Sequence, residues 1–149
     1  IKWPNDIYWK NKKITGILIE NDIMDGNIYQ SILGVGININ QEKFESDAPN
    51  PISLKQITGK EYDIKDILQR IINCLSSYHN LINSQENITS IRKQYKESLF
   101  RKEGKHLFED KNGQFYARII DVEPSGLLVL ETEKGDINKY AFKEVKYIL

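Results

Sequence analysis

The sequence predicts an α+β protein built from two parts, because the spacing of its apolar residues changes twice along the chain. Up to residue 38, β-branched runs separated by turn residues indicate strands. Between residues 63 and 100 the apolar residues recur at helical spacing, and after Gly104 they alternate with a period of two. We therefore expect a boundary near residue 103, with residues 1–103 forming part of one domain and residues 104–149 forming a second, smaller one.

The first part begins with a β-hairpin. Residues 14–20 and 28–38 are the strand candidates, and Asn21-Asp22 is expected to end the first of them. The turn signal in residues 24–27 predicts that the two strands pair antiparallel. Residues 39–52 are polar and contain proline, which indicates a loop.

Helices follow this loop. Residues 53–58 predict a short helix ended by Gly59, and Asp63 is a suitable N-cap for a long amphipathic helix. A further helix is predicted over residues 89–100. The long helix is expected to bury one apolar stripe, made of Ile64, Ile67, Leu68, Ile71, Ile72, Leu75, Tyr78 and Ile82.

The smaller domain contains five short strand candidates separated by glycine-containing turns. The candidates are residues 106–109, 114–121, 127–133, 137–142 and 145–149. Five short strands at this spacing favour a small SH3-like β-barrel.

Composition excludes several classes of protein. The 149 residues carry 21 basic and 21 acidic side chains, so no net field attracts nucleic acid or an anionic membrane surface. No apolar run approaches the roughly 20 residues that span a bilayer. The single cysteine, Cys74, excludes an intramolecular disulfide and fits a reducing compartment. We expect a cytoplasmic protein that binds neither membrane nor nucleic acid through this chain.

The most informative stretch is Lys2-Trp3-Pro4-Asn5-Asp6. Pro4 holds Trp3 in an extended conformation and removes a ladder donor, so a strand must end here or lie at an edge. Asn5-Asp6 can then turn the chain and place a carboxylate at the strand end. The alternatives are a structural turn in which Asp6 caps local amides, and a solvated Lys2.

Lys13 stands at the start of a strand that otherwise has a buried pattern. Such a lysine either extends to solvent along its apolar stem or supplies a fixed positive charge to a phosphate or carboxylate. Gly16 favours the second role, because glycine inside a strand often marks close approach of a ligand or another backbone.

Gly34 and Gly36 are two residues apart, so both face the same side of a strand and leave a flat floor. The alternative is a β-bulge or a helix packed tightly over the strand. Asn38 continues this face, where its amide oxygen could help to hold Mg²⁺; a turn at the strand end is the alternative. The glycines form neither a dinucleotide-binding nor a P-loop motif.

Taken in order, the residue 2–6 motif, Lys13-x-x-Gly16 and Gly34-Val-Gly36-Ile-Asn38 resemble the C-terminal half of biotin protein ligase. The resemblance extends through Pro51-Ile-Ser-Leu to the helices and the terminal small barrel. It implies a catalytic domain like that of class II aminoacyl-tRNA synthetases. It also implies that biotin is activated by ATP to biotinyl-5′-AMP and transferred to a lysine of a biotin carboxyl carrier protein.

The resemblance also implies roles for individual residues. Lys13 and Asp6 would be catalytic. The biotin site would comprise Lys13, Gly16, Gly34 and Gly36, and the ATP site would comprise Lys2, Lys13 and Asn38. Asn38 would also position Mg²⁺ through the phosphates. Biotin, ATP and Mg²⁺ are therefore the implied substrates and cofactor.

One departure from the family pattern is large. The chain lacks the family's glycine- and arginine-rich adenylate loop and the segment that reads the biotin ring. We expect these to precede residue 1, and we expect this chain alone to be inactive and to bind biotin poorly. Missing strands would leave an open sheet edge, which favours pairing with another chain, a second copy in a homodimer included.

Two other functions remain open at this point. A lipoate or octanoate ligase or transferase would share the fold and modify similar lysines. A non-catalytic module could instead use the terminal barrel to bind a carrier protein.

Overall fold

A computed structural model of the chain describes residues 1–45, 49–82 and 84–149. These residues form two compact units. The N-terminal unit is Asn5–Thr89, and the C-terminal unit is Ile1–Pro4 together with Ser90–Leu149. The mixed α/β character is as the apolar spacing predicts, while the boundary near residue 103 stays a prediction. No helix in the described part of the chain is long and apolar enough to cross a membrane.

The N-terminal unit is built on a three-stranded antiparallel sheet. Strands β1 (Asp6–Trp9), β2 (Lys12–Met24) and β3 (Asn27–Ile37) lie in the order β1-β2-β3. Asp25 and Gly26 connect β2 to β3 with φ values of 50° and 77°. Two positive φ values in a two-residue loop suit the twist of a hairpin, so the predicted turn is confirmed.

The expected strand end at Asn21-Asp22 is wrong. Asn21 pairs with Ser31 and Asp22 pairs with Gln30, and β2 continues to Met24. The long partner strand supplies ladder hydrogen bonds that outweigh the turn preference of these two side chains.

The predicted short and long helices are confirmed. Helix α1 (Leu54–Thr58) is preceded by the N-cap Ser53 and followed by Gly59, whose φ is 73°. Helix α2 (Ile64–Leu81) begins after Asp63, whose side chain accepts a hydrogen bond from the Lys65 amide at 2.7 Å. Helix α3 (Gln85–Glu97) begins four residues earlier than expected.

The apolar stripe of α2 is not buried, contrary to the prediction, although Ile67 and Ile71 are half-buried. No residue of the helix is buried, and Ile64 is 63% exposed. The stripe also includes the exposed side chains of Leu68, Ile72, Leu75 and Tyr78. An amphipathic pattern indicates that a helix can cover an apolar surface, but the pattern does not supply that surface.

The C-terminal unit contains five antiparallel strands, as predicted. They are β4 (His106–Asp110), β5 (Gly113–Val122), β6 (Leu128–Thr132), β7 (Ile137–Tyr140) and β8 (Lys146–Tyr147). Their order in the sheet is β7-β6-β5-β4-β8. The core is tightly closed at its centre, where Phe108, Leu128 and Leu130 are fully buried.

Trp3 is part of this C-terminal core. Its side chain is 5% exposed and packs in the cluster that contains Phe108. The indole Nε1 donates a 2.9 Å hydrogen bond to the carbonyl of Gly126. Burying an indole whose N–H is satisfied stabilises this unit, so Trp3 has a structural role.

Candidate active site

A β-bulge in β2 positions the lysine that the sequence singles out. Asp6 pairs with Gly16 and Ile7 with Thr15, but Tyr8 pairs with Lys13, so Ile14 is the extra residue on β2. Asp6 and Tyr8 lie two apart on β1 and share a face. Lys13 therefore lies on the face of Asp6 and Gly16, whereas a regular strand would place it on the other face.

On this face Lys13 and Asp6 form an ion pair. Nζ of Lys13 lies 2.7 Å from Oδ1 of Asp6, and the side chains are 28% and 21% exposed. Burial, and then the negative charge of Asp6, raises the pKa of the Tyr8 hydroxyl nearby. The sequence-predicted catalytic pair is thus brought together.

The glycines lie on the same face but differ in what surrounds them. Gly16 pairs with Gly36 and Gly34 pairs with Leu18 across β2 and β3. A Cβ added to Gly36 would meet nothing nearer than the Gly16 carbonyl at 4.0 Å. A Cβ at Gly36 would therefore make only a loose contact with the backbone, which leaves the room that a ligand floor requires.

A pocket of about 350 Å³ opens above these residues. Four sequence-predicted site residues line it, namely Lys13, Gly16, Gly36 and Asn38. Gly34 is not among the lining residues. The volume is in the lower range of small-molecule sites.

Besides the strand residues Ile14, Thr15 and Ile37, three lining residues that the sequence did not indicate come from farther along the chain: Gln41, Phe44 and Pro51. All three lie in the stretch expected to be a loop over residues 39–52, of which residues 46–48 lie outside the described part. Polar loop sequences carry no periodic signal that would connect them with a pocket. Pro51 is placed by a parallel bridge to Lys13.

The main chain of Lys13 joins this loop to the sheet. The Lys13 amide donates to the carbonyl of Asn50 at 2.8 Å, and the Ile52 amide donates to the carbonyl of Lys13 at 2.9 Å. Pairing with β3 begins only at Thr15, so the main chain of Lys13 can bond the loop instead and anchor one pocket wall.

Ser53 holds the other end of the loop. It is fully buried, and its hydroxyl donates to the carbonyl of Gln41 at 2.6 Å. The same oxygen accepts from the amide of Gln56 at 3.1 Å, and the Gln56 side chain accepts from the Ser53 amide at 3.2 Å. A helix cap thereby also positions the pocket residue Gln41.

Asn38 is the one predicted metal-site residue. Its side-chain nitrogen Nδ2 donates a long hydrogen bond, of 3.5 Å, to the main-chain carbonyl of Lys13. The described residues contain no group of three or more His, Cys, Asp or Glu side chains that could hold a metal ion. Asn38 could supply one ligand to an ion that keeps several waters and is otherwise bound by phosphates, as Mg²⁺ usually is.

Lys2 lies in the C-terminal unit. Its ammonium is 5.0 Å from the ring centroid of Tyr147, a cation–π contact. The role in ATP binding that the resemblance implies stays a prediction.

The C-terminal unit carries a larger groove, of about 550 Å³. It is lined by charged residues, four of them lysines. Lys139 is 2.6 Å from Glu123, and Lys146 is 3.9 Å from Glu109. The charges of this groove have both signs and are partly paired with each other. Unlike the Lys13 pocket, it does not bring the predicted site residues together.

Comparison with known proteins gives a consistent result. A sequence model of the Biotin/lipoate A/B protein ligase family matches residues 1–38, the part that carries all three motifs. The bifunctional ligase/repressor BirA of Bacillus subtilis (strain 168) is 30% identical over 141 residues, covering 91% of this chain and 42% of BirA. BirA of Salmonella typhimurium is 29% identical over 137 residues, 89% of this chain and 42% of that protein.

Solved structures share the fold. The apo biotin protein ligase of Aquifex aeolicus has a TM-score of 0.73 and 23% identity, covering 98% of this chain and 63% of that chain. The same enzyme in complex with biotin and ATP has a TM-score of 0.73 and 22% identity, covering 99% and 62%.

The motif region is similar to the Biotin/lipoate A/B protein ligase family, and the fold is shared with solved biotin protein ligases. Along most of its length the chain matches BirA ligase/repressors and solved biotin protein ligases, which confirms the resemblance drawn from the motifs. The chain spans about two fifths of the length of the curated Bacillus relatives, at 42%.

Proposed function

We propose that this chain is part of an ATP-dependent biotin–protein ligase. Its enzyme would join biotin and ATP into biotinyl-5′-AMP and then biotinylate a lysine of a biotin carboxyl carrier protein. The observation that supports this most directly is the pocket in which Lys13, Gly16, Gly36 and Asn38 meet beside Asp6. These residues come from all three motifs of the resemblance.

Lys13 would act on the first half-reaction. An oxygen of the biotin carboxylate attacks the α-phosphorus of ATP, the bond to the bridging oxygen breaks, and pyrophosphate leaves with its electron pair. Two anions must approach each other, and negative charge grows on the phosphorus oxygens. A fixed ammonium beside them lowers both costs.

Asp6 would orient Lys13. With its ion pair at 2.7 Å, the carboxylate holds the ammonium on the pocket face before any ligand arrives. The second half-reaction has the carrier lysine attack the acyl carbon while the bond to AMP breaks. Asp6 is also the candidate to accept the proton of that amine, provided that the pair opens.

The glycines would form the floor of the biotin site, and Asn38 would act where the phosphates of ATP bind. Gly36 leaves room for a ligand, and with Gly16 and Gly34 it keeps bulky side chains off this face. Asn38 would offer its amide oxygen to a phosphate-borne Mg²⁺, and Lys2 would add positive charge. Mg²⁺ would screen the negative charge of the triphosphate.

Finer points of architecture belong to the same proposal. The N-terminal unit would be part of a catalytic domain like that of class II aminoacyl-tRNA synthetases, and strands β4–β8 would form an SH3-like barrel. The exposed stripe of α2 and the exposed hairpin agree with a chain that works as part of a larger domain. We therefore expect residues 1–149 alone to be inactive.

The test is pyrophosphate release by the full-length protein with ATP and Mg²⁺, offering biotin, lipoate and octanoate separately. We expect pyrophosphate release with biotin and none with lipoate or octanoate. Lys13→Ala should abolish this release, and Lys12→Ala, at the neighbouring exposed lysine, should retain it. Transfer is then followed as biotin on a carrier domain by mass spectrometry.

A lipoate or octanoate ligase is the second candidate, because the family model that matches residues 1–38 covers both kinds of enzyme. Release with lipoate or octanoate in place of biotin would select it. No release with any of the three acids would contradict both ligase functions and leave a carrier-binding module.

A further inference from the structure

We infer that Gly16 is a positioning residue for Lys13, and that its missing side chain provides the place in which the ammonium lies. This inference rests on the proposed function for its catalytic meaning, but its structural part can be tested without any activity. The role differs from that of a ligand floor, which the resemblance implies for all three glycines.

The surroundings of the glycines support this distinction. A Cβ on Gly16 would lie 3.2 Å from both Cε and Nζ of Lys13, and 3.5 Å from Oδ1 of Asp6. A Cβ on Gly34 would lie 3.6 Å from Cβ of Leu18, and one on Gly36 would lie 4.0 Å from the Gly16 carbonyl, both ordinary contacts. Only at Gly16, among these three, would a methyl group meet the ion pair.

Backbone strain does not explain Gly16. None of the three glycines has a positive φ, so alanine is compatible with the backbone at each position. The requirement at Gly16 is for space, and the group that occupies this space is a side chain of the site itself.

The bulge explains why Lys13 needs that space. With Ile14 as the extra residue, Lys13 is brought onto the face of Gly16 and Asp6, and its ammonium ends above Gly16. Two residues three apart on a regular strand would point to opposite faces. The Lys-x-x-Gly spacing and the bulge therefore act together to place the ammonium above Gly16.

The experiment compares Gly16→Ala with Gly34→Ala in the full-length protein. The first readout is the rate at which an amine-acylating reagent modifies Lys13, measured by peptide mass spectrometry. We expect Gly16→Ala to change this rate and Gly34→Ala to leave it as in the wild type. A second readout is the rate of biotin-dependent pyrophosphate release, which Gly16→Ala should lower roughly tenfold by misplacing the ammonium.

A stability cycle separates positioning from a general packing defect. If the new methyl group crowds Lys13, then Lys13→Ala should relieve the loss, and Gly16→Ala should lower the melting temperature less in that background. An unchanged Lys13 modification rate together with additive losses of stability would overturn the inference. If the wild type lacks biotin-dependent release, the proposed function fails while the labelling and the cycle still decide the structural part.

Discussion

The ammonium of Lys13 and the carboxylate of Asp6 lie 2.7 Å apart, although the regular alternation of a strand would separate them onto two faces. The irregular pairing opposite Ile7 and Tyr8 brings them together. An ion pair that depends on a bulge is a property of the local backbone, so it can be measured apart from any reaction.

We expect Asp6 and Lys13 to be coupled by about 1 kcal/mol in a double-mutant cycle with Asp6→Asn and Lys13→Met. The pair is largely shielded from solvent, which reduces screening relative to a surface pair. Urea unfolding of the four proteins provides the coupling energy. The exposed pair Lys93–Glu97, at 3.9 Å, is the matched control and should show a value near zero. A coupling no larger than the control would contradict the positioning role of Asp6.

Ser53→Ala should destabilise the protein by about 2 kcal/mol. The variant removes an N-cap, and it leaves the carbonyl of Gln41 without its hydroxyl donor. Because Gln41 lines the pocket, we also expect weaker ligand binding. Chemical denaturation measures the first effect and calorimetry with biotin the second.

Ser77→Ala is the control for this prediction. Its hydroxyl is exposed and donates only to the carbonyl of Asn73 within α2, at 2.9 Å. The change should remain within about 0.5 kcal/mol of the wild type. Equal effects of the two variants would show that the cap of α1 has no special role.

Trp3→Phe should destabilise the C-terminal unit by about 1–2 kcal/mol. The substitution keeps an aromatic ring but leaves the Gly126 carbonyl without the indole donor and leaves space in the core. Thermal unfolding followed by circular dichroism measures the loss. Trp9→Phe, at a side chain that is 49% exposed, should be nearly neutral, and a larger loss there than at Trp3 would be inconsistent with this account.

Stability should fall in alkaline solution as two tyrosines of the C-terminal unit ionise. Burial, with the Asp110 carboxylate next in importance, raises the pKa of Tyr140 to about 12, and burial raises the pKa of Tyr147 as well. The unfolded chain loses these protons near the ordinary tyrosine pKa of 10.0, before the folded protein does. The stabilisation is therefore complete below that pH and is lost as pH rises towards the folded pKa values.

The check is unfolding free energy against pH for the wild type and Tyr147→Phe. The variant lacks one of the two groups, so its stability should decline less steeply above the unfolded pKa. Parallel curves would mean that Tyr147 ionises in the folded protein as it does in the unfolded chain.

Elements with a local signal were predictable from the sequence. The hairpin turn at Asp25-Gly26 follows from residues that accept positive φ, and α1 is bounded by the Ser53 cap and Gly59. The exposure of α2 was not predictable, because a periodic stripe is compatible with any apolar surface that the chain or a partner supplies.

The sequence singled out four residues that share one pocket, but not the geometry that brings them together. Lys13, Gly16, Gly36 and Asn38 stood out because charge and glycine are unusual in strands, and they line one pocket. Phe44 and Gln41 were missed, because loop residues are placed by tertiary hydrogen bonds. The bulge left one signal: Lys13 and Gly16 are three apart, and a regular strand cannot direct both to one ligand.

The two tryptophans allow the unfolding of each unit to be followed by intrinsic fluorescence. Trp3 belongs to the C-terminal unit and is 5% exposed, while Trp9 belongs to the N-terminal unit and is 49% exposed. A shielded indole emits at shorter wavelength than a hydrated one, so the two units contribute emission with different maxima. Trp9→Phe leaves an emitter that follows the melting of the C-terminal unit alone. The wild-type spectrum then reveals by difference whether the N-terminal unit loses its structure at the same temperature.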